Sequence, residues 1–202
     1  MPEDQNVGLQ AALRASAASV AWTVVSSTLA VRIGVHDRSS VLVAFGAIGV
    51  VDAIGSIALV HHFRHAIHHD AADDRLEALA HKVILAGLTI VGLAAIAAGG
   101  LRLAAGSASE SSTAGIALAA SSLVALSVLS ARKQYLARHR VDSPALRSDG
   151  HLSAVGATLA AVTLAGTAVT RAYGWSWADA VATIVVGATA IGLAITTRNE
   201  HF

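Results

Sequence analysis

The chain contains no cysteine, so neither disulfides nor thiolate metal sites are open to it. Charge is scarce as well. Asp, Glu, Lys and Arg make up 13% of the residues, about half of the roughly 25% usual in a soluble domain. Aromatic residues amount to only 4%, and the formal net charge of +1 gives no reason to expect nucleic acid. Also missing are a Walker-type phosphate loop, a Gly-x-Ser-x-Gly elbow and a His-Glu-x-x-His pair. An ATP-driven pump, an intramembrane hydrolase and, more broadly, an enzyme are therefore not expected.

What is present is apolar: 54% of the residues are hydrophobic and the mean hydropathy is +0.62. Ala, Val, Leu, Ile and Gly dominate, and small residues let helices pack closely where water supplies no driving force. A spanning helix needs about 20 mainly apolar residues. Six stretches qualify: Ala15–Val35, Val41–Val60, Val83–Ala104, Ala114–Ser130, Leu152–Val169 and Ala178–Thr196. The fourth reads as the weakest, because Ser121, Ser122, Ser127 and Ser130 interrupt it. The first is too long for a signal-peptide core and is expected to remain as a helix.

The expectation is an all-α, polytopic protein with six transmembrane helices. Residues 1–14 form a cytoplasmic N-terminal segment, residues 15–196 the six-helix domain with a His-rich cytoplasmic loop at 61–82, and residues 197–202 a short cytoplasmic tail. Six spans put both termini on one side. Ten of the fourteen Lys and Arg fall on that side, against Arg32, Arg38, Arg102 and Arg171 on the other, which places the termini in the cytoplasm and the chain in the plasma (inner) membrane. Tyr173, Trp175 and Trp177 then form an aromatic anchor at the outer interface. Ser143-Pro144 reads as the start of the fifth helix, with Ser as cap and Pro at the first helical position.

Three features carry chemistry. Asp52, in Gly49-Val50-Val51-Asp52-Ala53-Ile54-Gly55-Ser56, is the acidic residue set deep in a span. It stands eight residues from Val60, about 12 Å at 1.5 Å per residue, near mid-membrane. An ionisable group there costs about 3 kcal/mol on insertion scales and marks a polar cavity or a partner. The plain alternative is a protonated Asp bonded to a neighbouring Ser. Asp149 and His151 form the second feature, at the mouth of the fifth span. Residues two apart on a helix do not share a face, so Asp149, beside Leu152, Ser153 and Gly156, is the preferred member. An interfacial, solvated carboxylate is an equal alternative for it. The third feature is histidine: His61, His62, His65, His68, His69 and His81 are six of the ten, all in one connection. If the second helix continues, His61, His65 and His68 or His69 share a stripe. Imidazole with the nearby Asp70, Asp73, Asp74 and Glu77 suits Zn²⁺ and similar cations. Loose metal collection, a pH response and a simple solvated loop all remain open for this stretch.

The helix edges together resemble the transmembrane domain of the cation diffusion facilitator family, over roughly Leu13 to Ile195. Ser40-Val41-Leu42-Val43-Ala44-Phe45-Gly46 through Asp52 and Ser56 is similar to the family's second helix. Arg75-Leu76-Glu77-Ala78-Leu79-Ala80 resembles the entry to its third, Ala145-Leu146-Arg147-Ser148-Asp149 the entry to its fifth, and Gly174-Trp175-Ser176-Trp177-Ala178-Asp179-Ala180 the entry to its sixth. The resemblance implies a six-helix exporter exchanging divalent metal, typically zinc, for protons. It also implies an intramembrane site of two acids on the second helix and a His and an Asp on the fifth. Those positions map to Ile48 and Asp52, and to Leu152 and Gly156, so of the four only Asp52 is a ligand. Shorter relatives with Asp at the Asp149 position leave Asp52, Asp149 and His151 as metal candidates, with His65, His68 and His69 as loop contacts. Ser56, Ser153, water or a homodimer would have to supply the rest. With only about Thr197 to Phe202 after the sixth helix, the family's cytoplasmic metal-sensing domain is expected to be missing. The implied partners are a divalent cation, a proton and the lipid bilayer, with no bound cofactor. The competing expectation is a degenerate, non-transporting relative that acts as a structural or regulatory membrane subunit.

Overall fold

In the computed structural model the backbone is described for residues 2–68, 74–106, 112–139 and 144–199, and side chains for 14–51, 53–54, 57, 85–106, 112–136, 138, 150, 153–175 and 177–196. The described residues form six helices and no strand. These are α1 (Pro2–His36), α2 (Ser40–His68), α3 (Asp74–Ala105), α4 (Thr113–His139), α5 (Pro144–Tyr173) and α6 (Ser176–Asn199). Five contain stretches long and apolar enough to cross a membrane: Arg14–His36, Leu85–Ala105, Thr113–Leu136, Ser153–Tyr173 and Trp177–Thr196. In α2 the described apolar stretch is Ser40–Val51.

The expected order of helices holds, and three details change. Helix α1 begins at Pro2, so most of the expected N-terminal segment is helical. Proline suits a first helical position because its fixed φ is already helical and its missing N–H would have had no partner. The fourth span is not the weakest; it has the highest hydropathy of the five. Its serines are outweighed by the Ala, Leu and Val around them, and Ser121 donates to the Leu118 carbonyl at 3.0 Å within the helix. The polar break expected over 132–149 is mostly helix, since α4 runs on to His139 and α5 starts at Pro144. Proline at the first position of α5 is as expected, while Ser143 lies outside the described residues.

The connections sort the molecule into two ends. At one, the turn end, α1 meets α2 through residues 37–39 and α5 meets α6 through 174–175, with the end of α3 and the start of α4 beside them. The opposite, terminal end gathers the starts of α1, α3 and α5 and the ends of α2, α4 and α6. Two helices end on left-handed glycine, α3 at Gly106 (φ 59°) and α5 at Gly174 (φ 67°), a conformation glycine adopts at no steric cost. Tyr173, Trp175 and Trp177 gather there, exposed, with successive ring centroids 5.2 and 5.5 Å apart.

The bundle is apolar outside and partly polar within. Ile90 (67% exposed), Val124 (64%) and Val128 (60%) face outward, a surface that a membrane covers and water does not favour. Ser19, Thr23, Ser26, Ser27, Thr163, Thr167 and Thr170 are buried. The α5 threonines donate to carbonyls one turn back, each at 2.9 Å, so their hydroxyls need no water. Helix α2 sits centrally, against α1, α3, α5 and α6, and supplies Val41, Ala44, Phe45 and Ile48 to the apolar core.

Like α4 and α5, helices α3 and α6 pack on each other extensively. Glycine allows backbone to meet backbone there. A Cβ on Gly187 would stand 2.6 Å from the Gly92 carbonyl oxygen, and one on Gly99 2.7 Å from that of Ala180. Neither clash can be relieved by turning a side chain. Gly100, by contrast, has open space beside it. We predict that Gly187→Ala lowers stability by about 1–3 kcal/mol, while Gly100→Ala leaves it unchanged or slightly raises it. Thermal denaturation in detergent micelles measures both, and equal midpoints would remove the close-packing argument.

Candidate functional site

Position 52 lies on α2, twelve residues beyond Ser40, hence about 18 Å from the turn end. It follows Ile48 by one turn on the same helix face. Ile48 is buried in the apolar core. The second-helix position where an acid was expected is therefore a packing position. On α5, a Cβ at Gly156 would meet Leu126 at 3.1 Å, so that position also serves helix packing. Helices α2 and α5 are in direct contact. The backbones of Asp52, Asp149 and His151 run in those two helices, and His65 and His68 continue α2. The side chains of all five, and of Leu152, lie outside the described residues, as does His69 entirely. Among the described residues no three His, Asp or Glu side chains group as a metal site would require.

Next to the α5 entrance stands a residue that charge counting misplaced. Lys133 was assigned to a polar connection; it is on α4 and fully buried, with Nζ donating to Ser153 Oγ at 3.0 Å. Ser130, one turn earlier, donates to the Gly150 carbonyl at 2.8 Å, and Gln134 Nε2 donates to Ser130 Oγ at 3.3 Å. Ser130, Lys133 and Gln134 share a face by their i, i+3, i+4 spacing. That spacing was the available signal, and it has meaning only once α4 is known to continue past Ser130. Ser153 was a candidate oxygen ligand. With an ammonium on its hydroxyl it is a poor one, because the positive charge opposes a second cation.

The best-defined polar structure is at the turn end, in residues read from sequence only as a helix entry. Asp179, in the first turn of α6, is 1% exposed. Its Oδ2 accepts from the Ser40 backbone N–H at 2.9 Å and from Ser40 Oγ at 2.8 Å, and its Oδ1 accepts from Ser39 Oγ. Arg102 of α3 stands 3.8 Å from Oδ2 and donates to the Arg38 carbonyl. Thr183 Oγ1 lies 2.7 Å from the Asp179 carbonyl and 2.9 Å from Ser40 Oγ, with one proton to serve either. The Asp179 carboxylate thus caps the N-terminus of α2 from another helix, where the aligned peptide dipoles favour negative charge.

Asp37 does the same for α4. Its buried carboxylate accepts from the Ser112 N–H at 3.1 Å and pairs with His36 Nδ1 at 3.1 Å, while Ser112 Oγ accepts from the Gly115 N–H at 3.1 Å. Burial works to raise its pKa, but the hydrogen bonds from Ser112 and His36, together with charge on the His36 ring, hold it below the ordinary value. An open groove of about 350 Å³, lined by Arg32, His36, Asp37 and Ser112 among others, reaches it from outside.

No protein-family model matches the chain, and no curated protein matches it.

Two outcomes follow from the two aspartates. Asp179→Asn turns an amide N–H₂ or a weaker acceptor toward three donors and strips Arg102 of its counter-charge. It should lower stability by about 1–3 kcal/mol, read as thermal midpoint in micelles. A depressed carboxylate pKa adds stability above the unfolded value that is lost as pH falls through the folded one. Wild type should therefore exceed Asp37→Asn at pH 7, with the gap closing below about pH 4. A gap independent of pH would show that Asp37 contributes no charge-dependent stability.

Proposed function

We propose that the chain is a six-span membrane transporter of divalent cations, coupled to protons and built on the plan of the cation diffusion facilitators. The observation that carries this reading is the placement of Asp52. The lone acid of α2 stands about 18 Å below the turn end, on the helix packed among α1, α3, α5 and α6. A carboxylate in that setting costs about 3 kcal/mol, a cost that folding alone gives no reason to bear. The chemistry needs only the group itself: the ionised carboxylate binds the cation, and reprotonation releases it.

Asp149, with His151 as a further donor, is the companion group at the entrance of α5. Helix α2 continues to His68, and about 30 Å of membrane ends near residue 60 when measured from Ser40. His61, His65 and His68 therefore fall on a helical extension beyond the bilayer, where they can gather cations before entry, with His69 just after. The bias of basic residues supports a cytoplasmic terminal end. It persists, at nine against four, when buried Lys133 is set aside. With Ile48 and Gly156 in packing roles and Ser153 held by Lys133, few protein ligands remain. A site of carboxylates and water suits Mg²⁺ or Mn²⁺ at least as well as Zn²⁺.

The same three observations favour a second reading: a relative that has lost transport and serves as a structural or regulatory membrane subunit. Flux decides between them. Purified protein in proteoliposomes, given Zn²⁺, Mn²⁺ or Co²⁺ under a proton gradient, should take up at least one cation. Asp52→Asn should reduce that uptake at least about tenfold, or roughly 1.4 kcal/mol. No uptake by wild type or variant would leave the second reading.

A further inference from the structure

The turn between α1 and α2 is held from three sides. Asp37 binds the start of α4, Ser39 and Ser40 bind Asp179 of α6, and the Arg38 carbonyl accepts from Arg102 of α3. The last two attachments come from one body. Helices α3 and α6 touch backbone to backbone at Gly92 with Gly187 and at Gly99 with Ala180, and they pack on each other far more than α6 packs on α2. Deeper in the bundle the pair shares the apolar core with α2, and at the turn end its polar hold on the α1–α2 turn runs through Asp179 and Arg102. Below this knot, Val41 and Leu42 are fully buried, and Ala44, Phe45 and Ile48 fill the core down to the turn that precedes position 52.

We infer that the Asp179–Ser39–Ser40–Arg102 knot is the gate of the turn end, drawn here closed. Opening it means withdrawing one carboxylate. Its bonds to Ser39 and Ser40 and the Arg102 bond to the Arg38 carbonyl are released together, while Asp179 and Arg102 stay paired on one body, and the turn end of the α3–α6 pair can then part from α2. A buried carboxylate that keeps only some of its donors is costly, so a contact of this kind favours two distinct states. The inference takes from the transport reading only the identity of what passes.

The cysteine-free sequence supplies the test. A single cysteine at Ala44, buried one turn below Ser40, reports opening through its rate of modification by a membrane-impermeant maleimide added to sealed vesicles of either orientation. A control cysteine at Ala157, buried in α5 toward the terminal end, reports general loosening. With Asp179→Asn, labelling of Ala44→Cys should accelerate at least tenfold from one side only, while Ala157→Cys is unchanged. Equal acceleration at both sites, or none at Ala44→Cys, overturns the gate. If Asp179→Asn does not fold, Arg102→Gln, at a side chain 28% exposed, carries the same comparison. A smaller one-sided rise supports the gate, and no rise overturns it. Labelling that responds in a protein without metal flux keeps the gate and removes the transport reading. Flux without any labelling response does the reverse.

Discussion

One carboxylate organises the turn end. Asp179 is nearly inaccessible, and its two oxygens accept from two hydroxyls and a backbone N–H of the α1–α2 turn while Arg102 stands beside them. A charge in that position would be costly alone; surrounded by donors and at the positive end of α2, it is compensated. The arrangement fixes where α2 begins. Since α2 is a single helix from Ser40 to His68, it also fixes the depth and rotation of everything α2 carries, including Ile48 in the core and Asp52 one turn further on.

The interior follows from the lack of water around the bundle. With apolar side chains outside, helices gain by approaching closely and by satisfying each polar group internally. Glycine gives the α3–α6 contact its closeness, and the α5 threonines return their hydroxyl protons to their own helix. Charges inside such a bundle need built partners. Asp179, Asp37 and Lys133 each have them.

Much of this architecture could be read from hydropathy. Long apolar runs separated by short polar breaks give the helices and their order, because a spanning helix leaves a signal some 20 residues long. Proline at the start of α5 is equally local. What was illegible is long-range. Asp179 looks like an ordinary acid in the first turn of a helix, since its partners stand about 140 positions away in sequence. Lys133 looks like a loop charge until α4 is known to extend beyond the apolar run. The serines of α4 looked like a weakness because counting polar residues ignores the carbonyls their hydroxyls can reach. Ile48 and Gly156, singled out in the sequence only through a family resemblance, have packing roles that no sequence pattern disclosed: one fills the core, and the other makes room for Leu126.

The two ends of the bundle differ in how much change they can accept. At the turn end, Arg38 holds a left-handed conformation (φ 51°) unusual for a residue with a side chain, inside a three-residue connection whose neighbours grip three other helices. One added or deleted residue there would pull Asp37 and the Arg38 carbonyl out of register with Ser39 and Ser40, so that Ser112, Arg102 and Asp179 could not all be met at once. At the other end α4 and α5 run several residues past their apolar stretches, from Leu136 to His139 and from Pro144 to Ser153. Lengthening, new charge or an appended module can accumulate there without disturbing the packed spans. A change of chain length is therefore better tolerated at that end of the bundle than at the turn end.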